Sequence, residues 1–230
     1  MSSFLQESVF FGVMLSLIAY GIGVFLKKRF KKSIFNPLLI AVIITIVVLL
    51  ALHLDYESYY EGAKYLSYLL TPATVCLAIP LYEQIEMLIE NKKAIIIGIC
   101  SGVLTSLLSV LALALLFGLD HKEYVTLLPK SITTAIGMGV SEELGGYVTI
   151  TVAVIVITGV FGNIIAGTVC KVFRIEEPVA RGIAIGSSSH AIGTVKAMEM
   201  GEIEGAMSSL SIAVAGVLTV VAASLFAEFL

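Results

Sequence analysis

The chain predicts an all-α polytopic membrane protein with about six full transmembrane helices and two broken or re-entrant elements arranged as an inverted repeat. Three observations lead there: an apolar composition, several apolar stretches of bilayer length, and an internal repeat centred on two interrupted stretches. Of 230 residues, 58% are hydrophobic and 13% charged, and the mean hydropathy is +1.03. A soluble domain keeps roughly a quarter of its residues charged, so the missing polar surface must be replaced by lipid-facing surface. A net charge of -3 with no basic stripe excludes nucleic acid as a partner.

A hydrocarbon core of about 30 Å takes about 20 residues of helix, because every backbone N-H and C=O must be satisfied without water. Stretches 8–26, 36–52, 64–82, 94–117, 147–170 and 206–229 meet or approach that length. The first begins without a basic n-region and ends in Lys27-Lys28-Arg29-Phe30-Lys31-Lys32, so it reads as a retained span rather than a cleaved signal. The second opens on Asn36-Pro37, an N-cap followed by a proline at the first helical position. The third contains Pro72 and Pro80 and must bend. In the fifth, Asn163 stands alone in an apolar helix and predicts an interhelical hydrogen bond. Cys76, Cys100 and Cys170 have neither disulfide nor metal spacing and read as packing residues.

Stretches 125–144 and 182–200 are apolar on average but interrupted by Pro, Gly, Ser, Thr and charges. The basic run at 27–32, the pair Lys92-Lys93 and the trio Lys171, Arg174 and Arg181 belong on the cytoplasmic side, and the acidic loops 53–62 and 118–124 outside. An odd number of crossings must then separate 118–124 from 171–181. One long helix already supplies it, so 125–144 enters and leaves by one face. The same logic makes 182–200 a second such element and places both termini outside.

An offset of 56 residues lays SITTAIGMGVSEELG (131–145) over SSSHAIGTVKAMEMG (187–201), with six of fifteen positions identical. The repeats run over 94–145 and 150–201 within one membrane domain, 1–230. One full span separates the copies, so they enter from opposite faces, as in many secondary transporters. Chance similarity between small-residue apolar segments is the plainer explanation, against which stand the matched Glu143/Glu199 and Gly145/Gly201.

Irregular backbone at membrane depth is tolerated where it is buried in protein or lines a wet cavity. Ser131, Thr133 and Thr134 on one break and Ser187, Ser188 and Ser189 on the other would supply hydroxyls to a small carboxylate, with His190 as a further substrate-binding residue beside them. Lys130, Glu142, Glu143, His190, Lys196 and Glu199 are charged or chargeable in these stretches, and such groups are costly at depth unless paired, wet or used. Ion or proton coupling is the functional reading of Lys130, Glu143, Lys196 and Glu199, and His190 is the candidate proton carrier. The structural readings are headgroup snorkelling for the long side chains and a hydrogen-bonded imidazole between helices for His190. No nucleophile–base pair, metal spacing or phosphate loop points to an enzyme, a metal or another cofactor.

The stretches NPLLIA (36–41), LTPATVCLAIPLYEQ (70–84), LLPKSITTAIGMGVSEELGG (127–146) and PVARGIAIGSSSHAIGTVKAMEMGEIEGAMSSL (178–210) resemble the LrgB/CidB family of bacterial membrane proteins, and 127–146 is closer to the CidB branch. The resemblance implies a multi-pass protein of the bacterial plasma membrane with a small LrgA/CidA-type membrane partner, and it leaves self-association open. It also implies one of two activities. One is holin-like or antiholin-like control of murein hydrolase export, autolysis and programmed cell death. The other is carriage of small monocarboxylates of the pyruvate, glycolate or glycerate class by alternating access, with proton coupling as an option. A lesion-forming holin has no use for paired polar breaks, which favours the carrier.

Overall fold

The structure, a computed structural model, describes residues 9–30, 35–76 and 78–230. Among these the chain is helix, turn and loop, and it divides into two compact units, Met1–Cys76 and Leu77–Leu230.

In the first unit, α1 (Val9–Phe30) packs against α2 (Pro37–Ala51) and α3 (Tyr56–Ser67), and α4 (Leu70–Cys76) follows. Asn36 caps α2 as its sequence predicts: its Oδ1 accepts from the backbone N-H of Leu38 at 2.9 Å and of Leu39 at 3.1 Å. The Ser16 and Tyr59 hydroxyls meet at 2.8 Å and tie α1 to α3.

The second unit contains α5 (Ala78–Glu83), α6 (Ile85–Glu90), α7 (Lys92–Phe117), α8 (His121–Leu127), α9 (Thr134–Glu143), α10 (Val148–Val172), α11 (Pro178–Met200) and α12 (Glu202–Ala227). Gly118 ends α7 in the left-handed conformation (φ 66°) that glycine adopts without steric penalty. Asp120 and Glu123 then start α8 with a reciprocal capping box. α11 lies at the centre of this unit, packed on α7, α10 and α12.

Among the described residues, four helices are long and apolar enough to cross a bilayer: Phe10–Phe30, Lys92–Phe117, Val148–Val172 and Glu202–Ala227. Two expected spans differ. The stretch 36–52 is helical, but its 15 residues reach only about 22 Å. The stretch 64–82 is not one helix; it contains the end of α3, then α4, then α5, with Leu77 outside the described residues. Pro72 explains the division at 68–69. It falls in the first turn of α4, where no intrahelical N-H bond is needed, and it prevents α3 from running through.

Both interrupted stretches are broken. In 125–144, six non-helical residues, 128–133, separate α8 from α9. In 182–200 the departure is a single residue inside α11, His190, at φ 42° and ψ -145°.

Side chains are distributed for a lipid environment. Leu116, Ile157 and Val217 on the three long helices of this unit are 75%, 66% and 66% exposed. Ser141, Thr151, Thr194, Ser208 and Ser211 are buried. Among the described residues no buried side-chain N or O lacks a hydrogen-bond partner. Buried small and polar residues lie between the helices beside an apolar core that includes Ile99, Leu107, Tyr124 and Met207, while many other bulky apolar side chains face outward, the pattern of a polytopic membrane protein.

Candidate functional site

The second unit contains an open cavity of about 650 Å³ between α7, the break at 128–133 and the first half of α11. Gly98 and Gly102 bring α7 onto α11. A Cβ on Gly98 would lie 3.1 Å from Ile183, and one on Gly102 would lie 2.8 Å from the Ser187 hydroxyl. The two helices therefore run in the same direction. One rim of the cavity is at Asn91 and Glu177, and its far end at Ser109, Lys130 and Ser131. From Asn91 to Ser109 is about 27 Å of helix, so the Ser106–Ser131 region lies near the middle of α7.

At that depth Lys130 Nζ donates to Ser131 Oγ at 3.0 Å, and the Ser131 and Ser106 hydroxyls meet at 3.1 Å. Lys130 is half-buried, and among the described residues no carboxylate lies within ion-pair distance of it. An ammonium in a largely apolar pocket is costly without a counter-charge, and a small anion would supply one.

The structure brings Lys130, Ser131, Ser187 and Ser188 to one cavity. Thr133 and Thr134, at the start of α9, do not line it. Ser189 turns to the opposite side of α11, where a Cβ on Gly162 of α10 would collide with it. His190 is buried against α10: its Nε2 is 3.0 Å from the Ile155 carbonyl, and its ring packs on Gly159. Asn163 makes the predicted interhelical bond, donating to the Ile192 carbonyl at 2.8 Å just past the break. Thr194 accompanies it, bonded to the His190 carbonyl at 3.0 Å and to the Ser208 hydroxyl at 2.7 Å. Glu142 and Glu143 are exposed at the end of α9. Lys196 pairs with Glu199 one helical turn away at 3.1 Å. None of these lines the cavity.

The sequence reading passed over the wall contributed by α7. Gly98, Ser101, Gly102, Thr105, Ser106 and Ser109 follow one another at alternating steps of three and one, which is one stripe of a helix. That run of small and hydroxyl residues in an otherwise apolar span was the available signal. At the rim, Arg181 donates from Nε to the Ile175 carbonyl at 2.7 Å and pairs with the buried Glu204 at 3.6 Å, fixing the start of α11 to α12.

The sequence compares closely with known proteins over nearly its full length. It is 38% identical over 222 residues to the antiholin-like protein LrgB of Bacillus cereus (strain B4264), covering 96% of each chain. The same identity and coverage hold for the antiholin-like protein LrgB of Bacillus anthracis (strain CDC 684 / NRRL 3495). Both bear the LrgB name, whereas residues 127–146 read closer to the CidB branch. No solved structure matches the chain. The LrgB-like family profile matches residues 16–229, and the chain belongs to that family.

Proposed function

We propose that this protein is an antiholin-like regulator of lysis in the bacterial plasma membrane, acting with a small LrgA/CidA-type membrane protein. The full-length identity to antiholin-like relatives carries this reading. The outward apolar surfaces supply the means, since helix association in lipid needs only packing and a few polar contacts. Basic residues at 27–32, 92–93 and 171–181 support an orientation with those segments in the cytoplasm and both termini outside. Expression with and without the small partner, followed by timed lysis and extracellular murein hydrolase activity, tests it. The protein should delay lysis and lower hydrolase release. Identical curves with and without it would sink the regulator.

The cavity favours a second reading at the molecular level, carriage of a small monocarboxylate by alternating access. One uncompensated cation near mid-helix, reached from one rim and made from both halves of a repeat, is what a carrier of monoanions requires. The rim lies beside Lys92, Lys93 and Arg181, so the cavity opens inward under the same orientation. The buried imidazole of His190 stays the candidate for proton coupling, acting from the α10 side of the break rather than as a ligand. Uptake of labelled pyruvate into proteoliposomes, with and without the small partner and a proton gradient, tests this reading. No uptake under any condition leaves the regulator alone.

A further inference from the structure

We infer that anion recognition in the cavity belongs to a donor corner formed by Lys130, the Ser106–Ser131 pair and Thr105, and not to the serines of α11. This inference rests on the carrier reading. It follows from accounting for the hydroxyl hydrogens.

An anion needs donors, and a serine whose hydrogen is already committed presents only lone pairs. Ser187 donates to the Ile183 carbonyl at 2.7 Å, and Ser188 to the Ala184 carbonyl at 2.7 Å. On α7, Ser101 donates to the Gly98 carbonyl and Ser109 to the Ser106 carbonyl, both at 2.8 Å. These four hydroxyls line the cavity as acceptors. Helical serines bond back to the preceding turn in this way, and in an apolar setting they have little alternative.

The corner is different. Ser131 sits in the non-helical break and meets Ser106 across the cavity wall. Whichever of the two donates, one hydroxyl hydrogen of the pair remains uncommitted. Lys130 uses one of its three hydrogens on Ser131, leaving two. Thr105, beside Ser106 on the same stripe, has no hydrogen-bond partner among the described residues. Lys130 and the Ser106–Ser131 pair thus hold three free hydrogens and one positive charge together, with the Thr105 hydrogen on the adjoining position of the cavity wall, and bonds from such donors to an ionised acceptor are the strong kind. Thr105 and Ser106 become ligand-binding residues, and Ser187 and Ser188 are left to accept from a donor on the ligand or from water.

Binding of labelled pyruvate, which at neutral pH is an anion with no hydrogen to donate, separates the two walls. The full-length protein in nanodiscs is compared with Thr105→Val, Ser106→Ala/Ser131→Ala and Ser187→Ala/Ser188→Ala. Thr105→Val, close to isosteric, should weaken binding about three- to tenfold, and the Ser106/Ser131 double variant by about tenfold or more. The α11 double variant should lose less than Thr105→Val does. Greater loss from the α11 variant, or wild-type affinity in Thr105→Val, overturns the donor corner while leaving the carrier reading intact. No binding by the wild-type protein overturns both. Circular dichroism of each variant checks the fold, and Thr105→Val keeps the test decisive if the Ser106/Ser131 variant unfolds.

Discussion

The two breaks are equivalent in the repeat, yet they do different things. Ser131 and Ser187 occupy the same repeat position. Ser131 falls inside a six-residue irregular stretch, its hydroxyl bonded to Ser106 and Lys130. Ser187 falls in regular helix, three residues before the break at His190, and its hydroxyl is spent on Ile183. The first break opens onto a cavity, while the second is closed by packing. His190 is held on the Ile155 carbonyl, Asn163 on the Ile192 carbonyl, and Ser189 against Gly162. A shift of a few residues in where a helix breaks decides whether a hydroxyl serves its own backbone or an outside ligand. This asymmetry is also what alternating access requires, with one side open and its counterpart closed.

The largest way to break this comparison is to force the closed side apart. Gly162→Leu puts a side chain where Ser189 already is, and overpacking of this kind costs about 1–3 kcal/mol or more. A sharp fall in the detergent melting temperature is expected, and wild-type melting would mean that the α10–α11 contact is loose. Next comes the open side. Lys130→Gln removes the charge but keeps most of the volume, and losing a charge-assisted bond of about 1.5–3 kcal/mol should weaken carboxylate binding by roughly 10- to 150-fold. Stability should change little, because no ion pair of Lys130 is broken.

His190 sharpens the contrast at smaller scale. Its φ of 42° with ψ of -145° lies where side-chain-bearing residues are rare, a strain worth about 1–3 kcal/mol. His190→Gly and His190→Ala both lose the imidazole bond, but only glycine relieves the strain. The glycine variant should therefore be the more stable of the two by about 1–2 kcal/mol in denaturant titration. Equal stabilities would place the break elsewhere. The smallest effect is expected at Thr194 and Ser208. A double-mutant cycle with Thr194→Val and Ser208→Ala should return a coupling near 0.6 kcal/mol and below about 1.7 kcal/mol, the range for hydrogen bonds between helices in membranes.

Much of this was legible without coordinates. Apolar runs and their charged flanks gave the long helices, because in lipid a backbone has few ways to satisfy itself. Asn36-Pro37 announced its cap, and Asn163 announced an interhelical bond, because a lone amide in an apolar helix must find a partner. Interruptions by Pro, Gly, Ser, Thr and charges marked both broken stretches. The division of 64–82 at residues 68–69 was signalled by Pro72, which stops a helix rather than only bending it. The stripe on α7 had a readable period, yet small residues in a span ordinarily mean packing, and nothing local showed that this stripe faces a cavity.

Composition and periodicity by themselves determined that the chain is an all-helical membrane protein with two interrupted segments, since those follow from hydration and backbone hydrogen bonding along the chain. Tertiary structure alone decided which hydroxyls are free, that Lys130 has no carboxylate partner among the described residues, and that His190 faces α10 rather than the cavity. Those are properties of what lies opposite each side chain. Helices far apart in sequence, α7, α10 and α11, settle them only when they pack.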